Sequence, residues 1–351
     1  MTAWAFDGTE LPFGNAPRRW WISESGLVHD RPVPDAETLP GRYLLAGLAD
    51  AHAHPAVGHG PSGPVALGKT VAQDTLRAWA RSGITLVRDA GSPRGIALEL
   101  TGEGLPVIHA AGRFLAPAGR YFPELLGDPV PGPDLVRCGL AELGRGATWV
   151  KVIADFLDLD AGPGTGIEPT YPIELIAELT AAVHRAGGRV AAHSTTAFAA
   201  ELVAAGVDSI EHGTGLDEAA IRAMAVRGAA WTPTLCGTVG MLDNPGLPAE
   251  ERRYLGEARE RLLALLPLAV SLGVAVLAGT DAVGSIPQEV ALLTRLGLQP
   301  AEALAAASTW PRQYLGAAAT SDIVTYHHDP RDDPDELARP AAVIAGGTRL
   351  I

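Results

Sequence analysis

Short apolar runs alternate with amphipathic segments along most of the chain, from about residue 43 onward. In the amphipathic segments the apolar residues recur at helical spacing: Ile173, Ile176, Leu179 and Val183 precede a pair of glycines that ends the pattern. Comparable helical patterns occur near residues 70–82, 133–145, 196–205, 216–227 and 250–272. The apolar runs have the length of buried strands, and eight are found: "YLLAGLADAHAH", "GITLVRDAG", "LPVIHAAG", "TWVKVIAD", "GRVAAHS", "VDSIEHG", "GAAWTPTL" and "GVAVLAGTD".

Strands that alternate with helices predict parallel pairing and therefore the α/β class. Eight such units in about 270 residues match a (β/α)8 TIM barrel better than an open doubly wound sheet, and we assign the barrel to residues 43–317. The flanks, residues 1–42 and 318–351, contain short β-like runs such as "SDIVTYHH" and "AAVIAGGTRLI" without a helical period. Because chain ends commonly lie close together, we expect both flanks to form one small composite β-domain.

Composition and charge limit the cellular compartment and the binding partners that we expect for this protein. Of the 351 residues 47% are hydrophobic, and the formal charge is -13, whereas nucleic acid and anionic membranes require clustered Lys and Arg. The N-terminal residues lack the pattern of a signal peptide, and no apolar run reaches the roughly 20 residues that span a bilayer. Two cysteines are too few for a disulfide framework. We therefore expect a cytoplasmic protein that acts on a small-molecule substrate, without nucleic acid or membrane; assembly into a homo-oligomer stays open.

The first predicted strand ends in "DAHAHP", which places His52 and His54 on one face, because alternate residues of a strand point the same way. Other residues that commonly bind metals end later strands: His193 the fifth, His212 the sixth and Asp281 the eighth. In a barrel, the C-terminal ends of all strands surround one pocket. Each residue alone has an ordinary structural interpretation, as a core histidine or a helix-capping aspartate. Together they predict a metal site.

Lys151 lies in the fourth predicted strand, where both faces are apolar. A charged lysine buried there without a partner would cost several kcal/mol. A buried lysine loses its proton readily, and a neutral amine can add CO₂ to form an anionic carbamate. The alternatives are a neutral lysine and a lysine that contacts substrate beside a single metal ion.

In these motifs the sequence resembles the amidohydrolase superfamily of metal-dependent hydrolases. The matching stretches are "ADAHAHP", "ITLVRDAG", "VKVIAD", "AAHS", "DSIEHGTGL", "TPTL" and "AGTDA", within residues 43–316. Members related to imidazolonepropionase and to the Xaa-dipeptidases are the most similar. The resemblance implies a composite β-domain beside a barrel and a carbamate on Lys151 that bridges two metal ions. It also implies that the metal-site residues are His52, His54, His193, His212 and Asp281.

Neutral imidazoles and a carboxylate suit zinc, and we expect two Zn²⁺ ions per chain. A bound ion lowers the pKa of its water from about 15.7 toward 7, which yields a hydroxide able to attack a carbonyl. Asp281 is expected to accept the proton of this nucleophile and pass it to the leaving nitrogen, a role that the resemblance also implies. Tyr121 lies in the loop after the third strand, where related dipeptidases often have a Gly-Gly-His turn that this chain lacks. It is a candidate for a hydrogen bond to the oxyanion; otherwise it packs the loop.

The sequence therefore predicts a hydrolase of C–N bonds in cyclic amides, N-acyl amino acids or dipeptides. Three alternatives stay open: a mononuclear deaminase, which Lys151 disfavours; a lactone or ester hydrolase; and a catalytically inactive assembly barrel. Substrate choice is expected to depend on loops such as "DLDAGPGTGIEPTY". Two neighbours of the ligands are interpreted as structural: Arg88 in the loop after the second strand, and Glu211, which alternation turns away from the metals.

Overall fold

The computed structural model describes residues 3–22, 28–29, 31–61, 63–161, 166–317 and 322–351. The predicted domain boundary at residue 318 and positions 162–165 of the predicted specificity loop lie outside these residues. In chain order the strands are β1 (Trp4–Glu10), β2 (Pro17–Ile22), β3 (Val28–His29), β4 (Glu37–Thr38), β5 (Tyr43–Ala46), β6 (Leu48–Ala53), β7 (Val57–Gly60), β8 (Gly63–Ala66), β9 (Ile84–Asp89), β10 (Val107–Ala110), β11 (Phe114–Leu115), β12 (Trp149–Ile153), β13 (Asp155–Phe156), β14 (Glu168–Pro169), β15 (Arg189–Ser194), β16 (Ser209–His212), β17 (Ala230–Thr232), β18 (Ile323–Tyr326), β19 (Ala342–Ala345) and β20 (Thr348–Arg349).

The helices follow the predicted patterns closely. They are α1 (Lys69–Arg81), α2 (Pro123–Leu126), α3 (Leu135–Gly144), α4 (Ile173–Arg185), α5 (Ala199–Ala204), α6 (Glu218–Arg227), α7 (Ala249–Ser271), α8 (Ile286–Arg295), α9 (Pro300–Ala306) and α10 (Thr309–Tyr314). Short 3₁₀ turns occupy Pro93–Glu99, Gly132–Asp134, Leu235–Gly237, Val239–Asp243 and Pro334–Ala338. Among the helices described, none is both long and apolar enough to cross a bilayer.

Parallel pairing, as the alternation of strands and helices predicts, is present in the central part of the chain. One sheet has the order β10–β9–β6, and a second has the order β11–β12–β15–β16–β17. Every neighbouring pair in these two sheets is parallel. Within each of these two sheets the strands therefore run in one direction, and their C-terminal ends lie at one edge of the sheet.

The eighth predicted strand, residues 273–281, is not a regular strand, and this prediction was wrong. The segment makes two isolated parallel bridges, Trp231–Val276 to β17 and Ala53–Asp281 to β6. It thus lies between the two parallel sheets and links them. The ladder is interrupted where the Ala278 N–H donates to the carbonyl of Ala306 in α9 and not to a neighbouring strand. At its last residue the segment leaves the extended conformation, because Asp281 has a φ of 57°, in the left-handed region.

The first predicted strand is divided at Gly47, a position where an added Cβ would lie 2.2 Å from Thr85 Oγ1. Its first half, β5, pairs with β18 and β1 in a sheet of order β20–β19–β18–β5–β1–β2–β3, with β4 beside β1. Strands from both ends of the chain therefore share one sheet, over a small core that includes Trp4, Phe6 and Ile323. The division of the chain into two domains stays a prediction.

Candidate metal centre

The residues that the sequence predicts for the site lie around one cavity of about 200 Å³ at the C-terminal ends of the parallel strands. Strand β6 and the residue after it supply His52 and His54, and β12 supplies Lys151. His193 and His212 lie at the ends of β15 and β16. All seven predicted residues line the cavity: His52, His54, Tyr121, Lys151, His193, His212 and Asp281.

Within this cavity, one nitrogen each of His52 and His212 and one oxygen of Asp281 lie within 4.8 Å of one another. His54 adjoins this group, because its Nε2 is 3.2 Å from His52 Nε2 and 3.4 Å from Asp281 Oδ1. Lys151 and His193 line the same cavity beside the tight group. The structure thus brings the predicted ligands to one cavity, where three are close enough to bind one ion and the others lie beside them.

In three histidines, Nδ1 lies against a hydrogen-bond acceptor, and this determines that Nε2 is the nitrogen available to a metal ion. His52 Nδ1 donates to Glu211 Oε2 at 2.6 Å, and His54 Nδ1 donates to the Gly91 carbonyl at 2.7 Å. His212 Nδ1 lies 2.6 Å from the hydroxyl of Thr234, which itself donates to a backbone carbonyl and so accepts from the ring. In a neutral ring each Nε2 therefore presents a lone pair, and His52 Nε2 faces His54 Nε2 at 3.2 Å. Two such nitrogens repel at this distance unless a cation lies between them. That cation is a proton on His54 Nε2 or a metal ion in its place, so the donor set fits a bound metal ion.

The protonation states agree with this arrangement. Burial lowers the pKa of His52 to about 3 and that of His193 to about 4, and it holds the pKa of His212 well below the usual range. These three rings are therefore neutral at pH 7. Burial also lowers the pKa of His54, but its hydrogen bond to Asp281 and that residue's charge outweigh burial and raise it overall. The site therefore favours positive charge beside Asp281.

Asp281 itself is ionised. Burial alone would raise the pKa of its carboxyl group, but the hydrogen bond from His54 and the nearby imidazoles hold the pKa well below its ordinary value. Its side chain is 26% exposed, so the carboxylate reaches the open part of the cavity. A carboxylate so placed can accept a proton from a group bound above the histidines.

Lys151 is buried in the floor of the cavity, with 1% of its surface exposed. Its Nζ has no hydrogen-bond partner among the residues that the structure describes. Burial lowers the pKa of this amine to about 8, which makes the neutral form accessible near physiological pH. The sequence contains one other lysine, the exposed Lys69, and 25 arginines, so a lysine in this floor is a departure from the chain's usual choice of cation.

Tyr121 forms part of the cavity wall. Its ring centroid lies 6.5 Å from that of His193 and 4.9 Å from that of Phe114. Burial, with the charge of Asp281, raises the pKa of the phenol, so the hydroxyl keeps its proton and can act as a donor.

Two residues whose positions in the sequence indicate a structural role, Glu211 and Arg88, support the ligands directly. Glu211 accepts from Ser209 and from His52 Nδ1, and both of its oxygens are 2.8 Å from Arg88 Nη2. Arg88 lies inside β9, not in a loop after it, and also donates to the hydroxyl of Thr232. Burial would raise the pKa of Glu211, but Arg88 and His52 hold it well below the ordinary value. The buried pair therefore fixes the tautomer and orientation of His52.

The interpretation of Glu211 as turned away from the site was wrong because it followed strand alternation alone. Alternation predicts on which side of a strand a residue lies. The side chains directly beneath the ligands also point into the interior, and Glu211 is one of these. His212 has a φ of 67°, so it leaves the strand conformation directly after Glu211. Non-glycine residues at positive φ also include Asp281 and Thr234, and all three meet at this site, as strained residues at functional sites commonly do. The sequence did contain a signal for this pair: Arg88 in "LVRDAG" and Glu211 in "SIEHG" carry opposite charges within apolar strand patterns.

Comparison with known proteins adds independent evidence. The sequence model of the amidohydrolase family matches residues 43–321. An uncharacterized protein of Mycobacterium tuberculosis is 34% identical over 358 residues, which cover 97% of this chain and 94% of that protein.

Solved structures are also similar in fold. The crystal structure of an amidohydrolase has a TM-score of 0.81 and 24% identity and covers 100% of this chain and 99% of its own. The structure of a Xaa-Pro dipeptidase with bound methionine in its active site has a TM-score of 0.80 and 19% identity, with 99% of both chains covered. These likenesses show a TIM-barrel-like α/β fold.

Proposed function

This chain belongs to the amidohydrolase family, and from that premise we propose that it hydrolyses C–N bonds in amide-type substrates at a divalent metal centre. The substrates are cyclic amides, N-acyl amino acids or dipeptides. Enzymes of this family generally use divalent metal ions. The observation that carries the proposal is the set of three histidines whose Nδ1 atoms are engaged elsewhere, which leaves their Nε2 atoms for a metal beside the ionised Asp281.

The residues that would hold the metal all line the cavity: His52, His54, Lys151, His193, His212 and Asp281. A bound divalent ion supplies a Lewis acid for the carbonyl group and a nucleophilic water at neutral pH. Asp281 accepts a proton at its carboxylate and donates it to the leaving nitrogen, a role that its ionised state and partial exposure allow. Tyr121 donates a hydrogen bond to the substrate's carbonyl oxygen as negative charge develops there.

We propose further that Lys151 carries a carbamate and that the site holds two Zn²⁺ ions. In its formation, the neutral Nζ makes a C–N bond to the carbon of CO₂ and releases one proton. The support is the buried, unpartnered Nζ, since the resulting anion has two oxygens and would balance part of the charge of two divalent ions. Four neutral histidines and one carboxylate leave that charge largely uncompensated.

Membership of the amidohydrolase family also supports proposals about the architecture of the protein, its cellular location and its partners. We infer that the two parallel sheets form one (β/α)8 barrel, in which the segment 273–281 joins β17 to β6. We also infer a composite β-domain from residues 1–42 and 318–351, and a cytoplasmic protein that acts on small molecules, with neither nucleic acid nor membrane as partner.

The test is a substrate panel with protein stripped of metal and then reloaded with zinc, manganese or cobalt. The panel contains hydantoins, lactams, N-acyl amino acids, dipeptides and lactones. We expect the stripped protein to be inactive and the reloaded protein to cleave amide-type members. Full activity in protein that elemental analysis shows to be metal-free would refute the metal-dependent mechanism, and cleavage of lactones alone would refute the C–N assignment.

The carbamate has its own test, which the lysine content makes simple. In protein incubated with ¹³C-bicarbonate and zinc, ¹³C NMR should show a carbamate signal that Lys151→Ala removes. Lys69→Ala is the matched control, because this exposed residue is the other lysine of the chain. Lys151→Ala should also bind fewer zinc ions and regain part of its activity with added short-chain carboxylates. A wild-type protein with no carbamate signal and one zinc per chain would overturn this proposal.

A further inference from the structure

An aromatic wall, which consists of Phe114, Tyr121, Phe122 and Phe156, lies at one side of the metal-centre cavity. Tyr121 and Phe122 line the cavity, and the other two pack against Tyr121. The ring centroids of neighbouring members lie 4.9 Å apart for Phe114 and Tyr121, 5.2 Å for Tyr121 and Phe156, and 5.4 Å for Phe122 and Phe156. Phe156 continues the wall to the ring of His193, at 5.7 Å. Aromatic residues make up 5% of the chain, so four in contact beside the ligands are a local concentration.

The rim of the cavity is also apolar, and part of it faces solvent. Phe122 and Val283 line the cavity but remain 36% and 49% exposed. Behind them, Val57 and Leu125 are buried and line the same cavity. Exposed apolar surface that adjoins a reaction centre is typical of a place where a ligand completes the packing.

The size of the cavity sets the size of the group that it can take. An apolar protein cavity of roughly 150 Å³ binds benzene. The cavity here measures about 200 Å³, which allows one ring or branched aliphatic group together with an amide bond above the ligands. Among the described lining residues, Lys151 is the sole lysine or arginine, and it lies buried in the floor. The rim thus offers a substrate carboxylate no such partner, although the exposed His59 also lines it.

We propose that the substrates of this site are neutral amides that carry an aromatic or branched aliphatic group next to the scissile C–N bond, seated against Phe122 and Val283. The proposal rests on the proposed hydrolase function. It narrows the amide-type substrates to uncharged ones, so N-acyl amino acids and dipeptides with a free carboxylate are disfavoured. Phe122 and Val283 then determine specificity, because they cover the apolar group of the substrate.

The test compares small amides that differ in one group. Acetyl-, phenylacetyl- and succinyl-glycinamide vary the acyl side, and acetyl-phenylalaninamide varies the amine side. We expect kcat/KM with zinc-loaded protein to be at least about tenfold higher for phenylacetyl-glycinamide or acetyl-phenylalaninamide than for acetyl-glycinamide, since hydrophobic pockets discriminate single methylenes by roughly 10- to 200-fold. Succinyl-glycinamide should be the poorest substrate of the acyl series.

Variants then locate the preference. Phe122→Ala and Val283→Ala should each reduce the ratio of kcat/KM between the aromatic and acetyl amides, whereas Phe13→Ala should leave it unchanged. Phe13 is a suitable control because it is 57% exposed and lies in the turn after β1. The surface position of Val283 provides a second variant if Phe122→Ala does not fold.

Binding measurements separate this inference from the hydrolase function. If no amide is cleaved, the proposed function fails, and the affinities of phenylacetamide and acetamide decide the inference. Tighter binding of phenylacetamide that Phe122→Ala or Val283→Ala abolishes supports an apolar subsite. Equal affinities, or a kcat/KM that is highest for succinyl-glycinamide, would overturn it.

Discussion

Replacement of Glu211 by glutamine should weaken both the fold and the metal centre. Glu211 is fully buried and accepts hydrogen bonds from His52, Arg88 and Ser209, at 2.6, 2.8 and 2.5 Å. Glutamine keeps the size of the side chain but turns one acceptor oxygen into an NH₂ group, which then faces N–H donors. The change also removes the only carboxylate that is paired with the buried Arg88 in the described part of the chain.

The magnitude follows from the burial of this pair. When one partner of a buried ion pair is removed, the free energy of unfolding falls by about 3–5 kcal/mol, because the other charge stays buried without compensation. The ring of His52 also loses the acceptor that orients it. Loss of such a supporting contact typically lowers metal affinity by about 10- to 100-fold.

Two measurements check this prediction. Chemical denaturation of the metal-free protein gives the free energy of unfolding, and zinc titration against a chromophoric chelator gives the affinity. Glu142→Gln is the matched control, because Glu142 is also buried and paired, with Arg113 at 3.0 Å and Arg145 at 2.8 Å, but does not line the cavity. We expect the control to lose stability without losing zinc affinity. Wild-type zinc affinity in Glu211→Gln, or an equal loss of affinity in Glu142→Gln, would refute the reasoning.

Three further predictions concern the site and its surroundings. Asp281→Asn should lower kcat by roughly 10²- to 10⁴-fold with a smaller change in KM, since it removes the proton acceptor; near-normal turnover would exclude this role. Burial raises the pKa of Glu289 from 4.5 to about 7, so its contribution to stability is full below pH 4.5 and is lost as the pH rises through 7. The stability of the wild type relative to Glu289→Gln, measured by denaturation from pH 4.5 to 8.5, should therefore fall with pH, and a constant difference would contradict this. Gly279→Ala should weaken zinc binding, because its Cβ would lie 2.6 Å from His52 Cβ. Gly256→Ala, in open space within α7, should leave zinc binding intact and stabilise the protein by up to about 1 kcal/mol.

Much of the architecture was predictable because it depends on local patterns. The helical spacing from Ile173 to Val183 predicted α4, which spans Ile173–Arg185 and ends before Gly187 at a φ of 81°. The apolar runs predicted the parallel strands for the same reason. The prediction of the eighth strand failed because a short apolar run does not reveal whether its residues can form a regular ladder on both sides, and here the Ala278 N–H bonds to the carbonyl of Ala306 in a helix.

By itself, the sequence determined which side chains could bind a metal and that most of them lie at the ends of predicted strands. This information is local: the spacing of His52 and His54 places both near the end of one strand, and the other ligands occupy similar positions in their own strands. Only the tertiary structure decided how these side chains are held. Arg88 and Glu211 are 123 positions apart, and their pairing beneath His52 depends on the packing of three strands around a common interior. The same holds for the aromatic wall, because Phe114, Tyr121 and Phe156 come from separate segments whose distances no spacing in the chain specifies. Strand periodicity sets the side to which a residue points, but the contacts across the interior are set by the way in which the strands pack.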